Sequence, residues 1–86
     1  MSIISEKSMS DLAKLFPELT VKQLEVTVLF SYGMSIEDIS ALRNVSVTNT
    51  RKLLKASIKA LHVFTSNALR CVFLTRISLN QSITIS

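Results

Sequence analysis

The chain has no acidic residue after Asp38, one glycine, one proline, one cysteine and no tryptophan. Each scarcity excludes something. A multi-stranded sheet needs turn residues; a single Gly and a single Pro supply almost none, and the long stretches without either favour helices. One glycine also argues against a glycine-rich phosphate cradle. No Ser/His/Asp set and no paired carboxylates in a pocket context are visible, so the chain reads as non-enzymatic. Cys71 has no partner for an internal disulfide, which fits a reducing compartment. His62, the sole histidine, has no Cys or acidic companion at ligand spacing and reads as a helix-end residue; neither metal nor cofactor is expected. The opening residues Met1 to Glu6 lack the basic and long apolar regions of a signal peptide, and no apolar run approaches the roughly 18 residues of a membrane span. The expectation is one soluble, cytoplasmic domain of 86 residues with a core built from Leu, Ile and Val.

What is present is a charge asymmetry. Residues 1–38 carry six acids against Lys7, Lys14 and Lys22, a net of −3, whereas the remainder carries seven basic residues and no acid, a net of +7. Four of those seven, Arg51, Lys52, Lys55 and Lys59, fall in one short segment. A basic helix face without carboxylates to neutralise it is an electrostatic footprint for a polyanion. A merely solvated face is the commoner meaning of such a stripe, and the residues around it have to decide. Arg70 and Arg76, outside the segment, read as solubility residues.

Capping signals divide the chain. Residues 1–18 read as a loose lead-in with a short helix, Asp11 to Leu15, capped by Ser10 and stopped by Pro17. Thr20 and Gln23 can form a capping box, with Leu19 and Leu24 as its hydrophobic staple and Gly33 at the left-handed end of the helix. These caps argue for a helix over the strand that β-branched Val26, Thr27 and Val28 also allow. Ser35 repeats the signal with Asp38 at its third position, opening a helix from Ile36 to about Leu42 whose core stripe is Ile36, Ile39 and Leu42. Arg43, Asn44 and Val45 make a tight turn in which Asn44 suits a positive φ.

Ser46 caps a third helix, Val47 to about His62. At about 100° per residue, Thr50, Leu53, Leu54, Ser57, Ile58 and Leu61 fill one arc of it. Val47, Thr48, Asn49, Arg51, Lys52, Lys55 and Lys59 fill the rest. Ser66 opens a fourth helix, Asn67 to about Ile77, apolar around well over half its cylinder through Ala68, Leu69, Cys71, Val72, Phe73 and Leu74. Cys71 there reads as a small packing residue. From Ser78 apolar and polar residues alternate like a strand with no partner, read as a flexible tail over 78–86. The fold class expected is all-α: a small four-helix helix-turn-helix domain over 19–77 with a short extra N-terminal helix.

A short helix, a tight turn and a longer basic helix opening on small polar residues is the sequence form of a helix-turn-helix. Val47, Thr48 and Asn49 are short side chains at a helix N-terminus that can enter a major groove. Arg51, Lys52 and Lys55 follow one turn later, within reach of base edges or phosphates. The segments Leu19 to Val26, Gly33 to Ser40, Ser46 to Leu53 and Ala60-Leu61 then fall in register on a known pattern: L-T-x-R-E-x-E-V, G-x-[ST]-x-x-E-I-A, S-x-x-T-V-K-x-H and a later K-L. Over residues 19–77 the chain resembles the LuxR/GerE-type DNA-binding domain, in a free-standing form. Asn49 and Thr50 stand where the pattern has Thr-Val, and Leu53 where it has His.

The resemblance implies that Arg51 takes the place of the family's Lys, with Lys52 and Lys55 at its other groove-facing positions. Lys59, two turns in, divides between phosphate contact and solvation. It further implies a dimer formed by the fourth helix, with Asn67, Arg70, Cys71 and Leu74 at the seam. The implied function is a bacterial transcription regulator that reads double-stranded DNA as a homodimer, with another regulator or RNA polymerase as a further partner. Two other readings stand beside it. One is a protein-interaction module, a co-regulator or anti-activator, that pairs with another regulator without reading DNA alone. The other is a resemblance to the promoter-reading domain of sigma factors, whose basic last helix Arg51 to Leu61 would suit; the further helix after it favours the LuxR-type reading.

Overall fold

The structure, a computed structural model, describes residues 4–85 and is all-helical over them. In chain order the elements are α1 (Glu6–Leu15), α2 (Val21–Ser31), α3 (Ile36–Arg43), α4 (Val47–Ala60) and α5 (Ser66–Ile85). The outermost parts of the expected lead-in and tail, residues 1–3 and 86, lie outside the described residues. No helix of the described residues is long and apolar enough to cross a membrane.

α2 is the hub. It packs against each of the other four helices, and Leu24, Val26, Thr27, Val28, Leu29 and Ser31 are all buried. A helix hemmed in on every side must be apolar around most of its circumference, which is why β-branched Val26 to Val28 tolerate helical geometry here: tertiary burial outweighs a propensity deficit of a few tenths of a kcal/mol per residue, about 0.7 at most. Its start is the expected capping box, Thr20 Oγ1 accepting from the Gln23 N–H at 3.2 Å and Gln23 Oε1 accepting from the Thr20 N–H at 2.9 Å. Gly33 ends it at φ 103°, the Gly33 N–H donating to the Phe30 carbonyl and the Met34 N–H to that of Leu29. Asn44 (φ 56°) and His62 (φ 57°) close α3 and α4 by the same left-handed device.

Several expectations need correction. α1 begins at Glu6, not near Asp11, because Ser5 rather than Ser10 is the cap: its hydroxyl accepts from the Ser8 N–H, and Glu6 sits in the turn where the helix dipole favours an acid. Ser10 is an exposed residue within that helix. Thr65, not Ser66, caps α5, accepting from the Ala68 N–H at 3.0 Å. α5 then runs through Ser78 to Ile85, so the segment read as a frayed tail is helical; no Gly or Pro interrupts it. α4 ends at Ala60, two residues short of His62. Leu42 is 47% exposed. The inward stripe of α3 is Ile36, Ile39, Ser40 and Arg43, the i, i+3, i+4, i+7 spacing of one helix face, whereas a step of six residues drifts off it by about a third of a turn.

Neither Arg70 nor Arg76 is a free solubility residue. Arg70 lies half-buried with its guanidinium 4.6 Å from the centre of the Phe30 ring. Arg76 grips Glu18 through two hydrogen bonds of 2.9 and 2.8 Å, donates a third to the Leu15 carbonyl and stacks over Phe16. Those bonds hold the Glu18 carboxyl down at about 2, from an ordinary 4.5. The clamp seats the α1–α2 connection on α5 beside the aromatic cluster of the core. There Phe16 stacks on Phe73 with ring centres 5.0 Å apart, and Tyr32 meets Phe73 edge-on at 6.0 Å.

Candidate nucleic-acid interface

α3 and α4 are joined by three residues and packed against each other, the connectivity of a helix-turn-helix. Ser46 caps α4 through the Asn49 N–H at 3.0 Å, so the helix starts abruptly with Val47, Thr48 and Asn49 at its N-terminal rim. Periodicity then separates two faces. Thr50, Leu54 and Ser57 are buried and Leu53 and Ile58 half-buried against the rest of the domain. Thr48, Asn49, Arg51, Lys52, Lys55 and Lys59 are exposed, and Val47 is half-buried. The four cations fall within nine residues of helix, about 12 Å from first to last at the α-helical rise. None of them pairs with a carboxylate among the described residues, whose ion pairs engage Arg43 and Arg76 instead. Mutual repulsion without local neutralisation leaves the face with a positive potential that a polyanion would relieve.

Two polar contacts hold α4 in place. The Ser40 and Thr50 hydroxyls meet 2.7 Å apart in the α3–α4 joint, each also in reach of a carbonyl one turn back in its own helix. Ser57, wholly buried, donates to the Leu53 carbonyl at 2.9 Å and lies 3.4 Å from the Gln23 carbonyl of α2. A larger side chain there would push the helices apart. The buried bond makes the two hydroxyls partners across the joint. Thr50 is therefore a joint residue, whereas Asn49 faces solvent.

The bond has a measurable consequence. Thr50→Val alone will cost about 1 kcal/mol, because it removes a satisfied buried bond. The double variant Ser40→Ala/Thr50→Val will recover most of that loss, since no polar group is then left behind. Urea unfolding of the two singles and the double gives the coupling, and strictly additive losses would show that the hydroxyls do not act on each other.

No family model matches this chain, and no curated protein or solved structure does. The site therefore stands on its own geometry.

On α5, Leu69 and Phe73 are fully buried and Ala68 and Val72 half-buried, while Asn67, Cys71 and Leu74 lie exposed. Cys71 is thus a free, exposed thiol and not a core residue. Asn67, Cys71, Leu74 and Ser78 follow a four-three-four spacing and form one outward stripe, from which Arg70 turns away toward Phe30. Sequence reasoning missed the residues that orient the helix-turn-helix from behind. Arg43 donates from Nε to Glu25 Oε1 at 2.6 Å, tying the end of α3 to α2, with the two side chains 9% and 18% exposed. A hint was available, since Arg43 completes the heptad-like stripe begun by Ile36, but its partner lies 18 positions away.

Proposed function

We propose that the chain is a sequence-specific DNA-binding transcription regulator of bacterial type, acting in the cytoplasm by binding rather than catalysis. The observation that carries the reading is the exposed face of α4, where Arg51, Lys52, Lys55 and Lys59 stand free of carboxylate partners on a helix presented by a helix-turn-helix. In this reading α4 enters the major groove. Thr48 and Asn49 meet base edges or phosphates at its N-terminal rim, with Val47 beside them. Arg51, Lys52 and Lys55 supply charge-assisted contacts one turn later, and Lys59 reaches the flanking backbone. The outward stripe of α5 pairs with its copy in a second chain, burying Leu74 and Cys71 and setting two α4 helices about 34 Å apart, one DNA turn. Another regulator or RNA polymerase then meets the bound dimer.

Binding of the purified chain to a randomised duplex pool, followed by titration at several salt concentrations, tests this directly. Arg51→Ala or Lys55→Ala will weaken binding by about 1–3 kcal/mol with a changed base preference where the contact is to a base. Where it is to phosphate, the loss will be similar on all sequences and the salt slope will fall by about one. A folded variant that binds every duplex like the parent would refute the assignment. Leu74→Glu probes the pairing: a carboxylate at the seam will split the dimer and lower DNA affinity while helicity stays. Sedimentation of the parent as a monomer that still binds DNA specifically would remove the dimer.

A further inference from the structure

Phe64 is 97% exposed, more than any other large apolar side chain among the described residues. It stands in the α4–α5 turn at the edge of a groove of about 400 Å³. The floor comes from Ile36 at the start of α3 and from Leu54 and Ile58 of α4. Arg51 and Lys55 line the same groove. An apolar trough with an aromatic lip and two unpaired cations is therefore built into the flank of the helix proposed to read DNA. DNA contact accounts for the cations and leaves the rest without a use. A sugar–phosphate backbone meets Arg51 and Lys55 well but gains little from Ile36, Ile58 or a phenyl ring, which reward a partner that is itself apolar on one side.

We propose that this groove docks an acidic amphipathic helix of a partner protein, laying its apolar stripe on Ile36, Ile58 and Phe64 and its carboxylates on Arg51 and Lys55. Charge selects the occupant. A basic segment would be repelled, and a neutral one would cover Arg51 and Lys55 without supplying the counter-charges they need. Glu37 and Asp38 follow Ile36 in the first turn of α3, so the carboxylates of the partner fall on the α4 side of the groove. Resting on the DNA reading above, the consequence is regulatory. A segment that occupies Arg51 and Lys55 excludes DNA from them, and its partner protein would switch the regulator off by occlusion.

The test uses the full chain, a panel of fluorescein-labelled synthetic helices with Asp and Glu on one face and Leu and Phe on the other, and scrambled peptides of the same composition. Fluorescence anisotropy without DNA will show binding of the amphipathic peptides and much weaker binding of the scrambled ones. Phe64→Ala, a change at a wholly exposed position whose folding circular dichroism checks, will lower peptide affinity about tenfold or more, as loss of an aromatic anchor does. The peptides will also displace bound duplex. Absence of binding by the whole panel, equal binding of scrambled peptides, or an unchanged affinity in Phe64→Ala overturns the groove. If Phe64→Ala weakens DNA binding and not peptide binding, the ring belongs to the DNA face and the proposal falls. Failure of the DNA reading shows separately, as Phe64-dependent peptide binding by a chain that binds no duplex; the groove then stands and only the competition is lost.

Discussion

Phe73→Ala will lower the unfolding free energy by about 3–5 kcal/mol, the cost of emptying a large aromatic site in a packed core. Phe73 has no exposed surface, stacks on Phe16 and receives the edge of Tyr32. Truncating it removes both ring contacts, each of which adds about 0.5–1.5 kcal/mol beyond area burial. The gap cannot close by collapse of one neighbour, because Phe16 is pinned from outside by Arg76 and through it by Glu18. A domain of this length has a total stability of about 4–13 kcal/mol. The loss is therefore a large fraction of the total, and Phe73→Leu, which refills part of the volume, will lose less. Thermal and urea unfolding by circular dichroism measure both. A loss in Phe73→Ala of under about 1 kcal/mol would show that the site relaxes freely and that α5 is not held by this stack.

The second large effect concerns the buried ion pair. Glu25→Ala will cost about 3–5 kcal/mol, since it strands the Arg43 guanidinium with 9% of its side-chain surface in water and no carboxylate beside it. Arg43 already carries a buried Nη1 without a hydrogen-bond partner, so the site has no slack in which to absorb the loss. The pair as a whole need not stabilise the fold. Removing both charges together, as Glu25→Leu/Arg43→Met, is expected to be close to neutral, because two desolvation penalties disappear with the attraction. What the pair sets is orientation: it ties the last turn of α3 to α2, and both of these helices pack against α4. On the DNA reading, the double variant will therefore keep its stability and lose part of its sequence discrimination. Equal loss of stability in the single and double variants would show that packing volume, not stranded charge, is at stake.

The features legible in the sequence are those whose physics is local. A cap is a side chain bonding a backbone N–H three residues on, so Thr20, Ser35 and Ser46 could be placed from their neighbours alone, and each is observed. Gly33 and Asn44 announce left-handed helix ends because few other residues tolerate them, and His62, read as a helix-end residue, adopts the same conformation. The exposed basic face of α4 was equally open to reading, since a period of 3.6 residues assigns faces without knowledge of the partner. The start of α1 was harder, because Ser5 and Ser10 are equivalent caps to a local rule and the choice between them falls to what the extra turn packs against. Met9 of that turn lies against the core.

By itself, then, the sequence determined the helices, most of their ends and which side of α4 carries charge without acids. The tertiary structure alone decided where the other charges and the leftover apolar groups go. Arg43 finds Glu25, Arg76 finds Glu18 and Arg70 finds Phe30, across separations of 18 to 58 positions. Ser40 finds Thr50 in the helix joint, and Leu42, Cys71, Leu74 and Phe64 are left outside. The reason is one of range. Hydrogen bonds and periodicity within a helix act over three or four residues and are written in their order. Whether a cation meets a carboxylate, or a leucine meets water, depends on how whole helices dock, and that follows from packing the entire core at once.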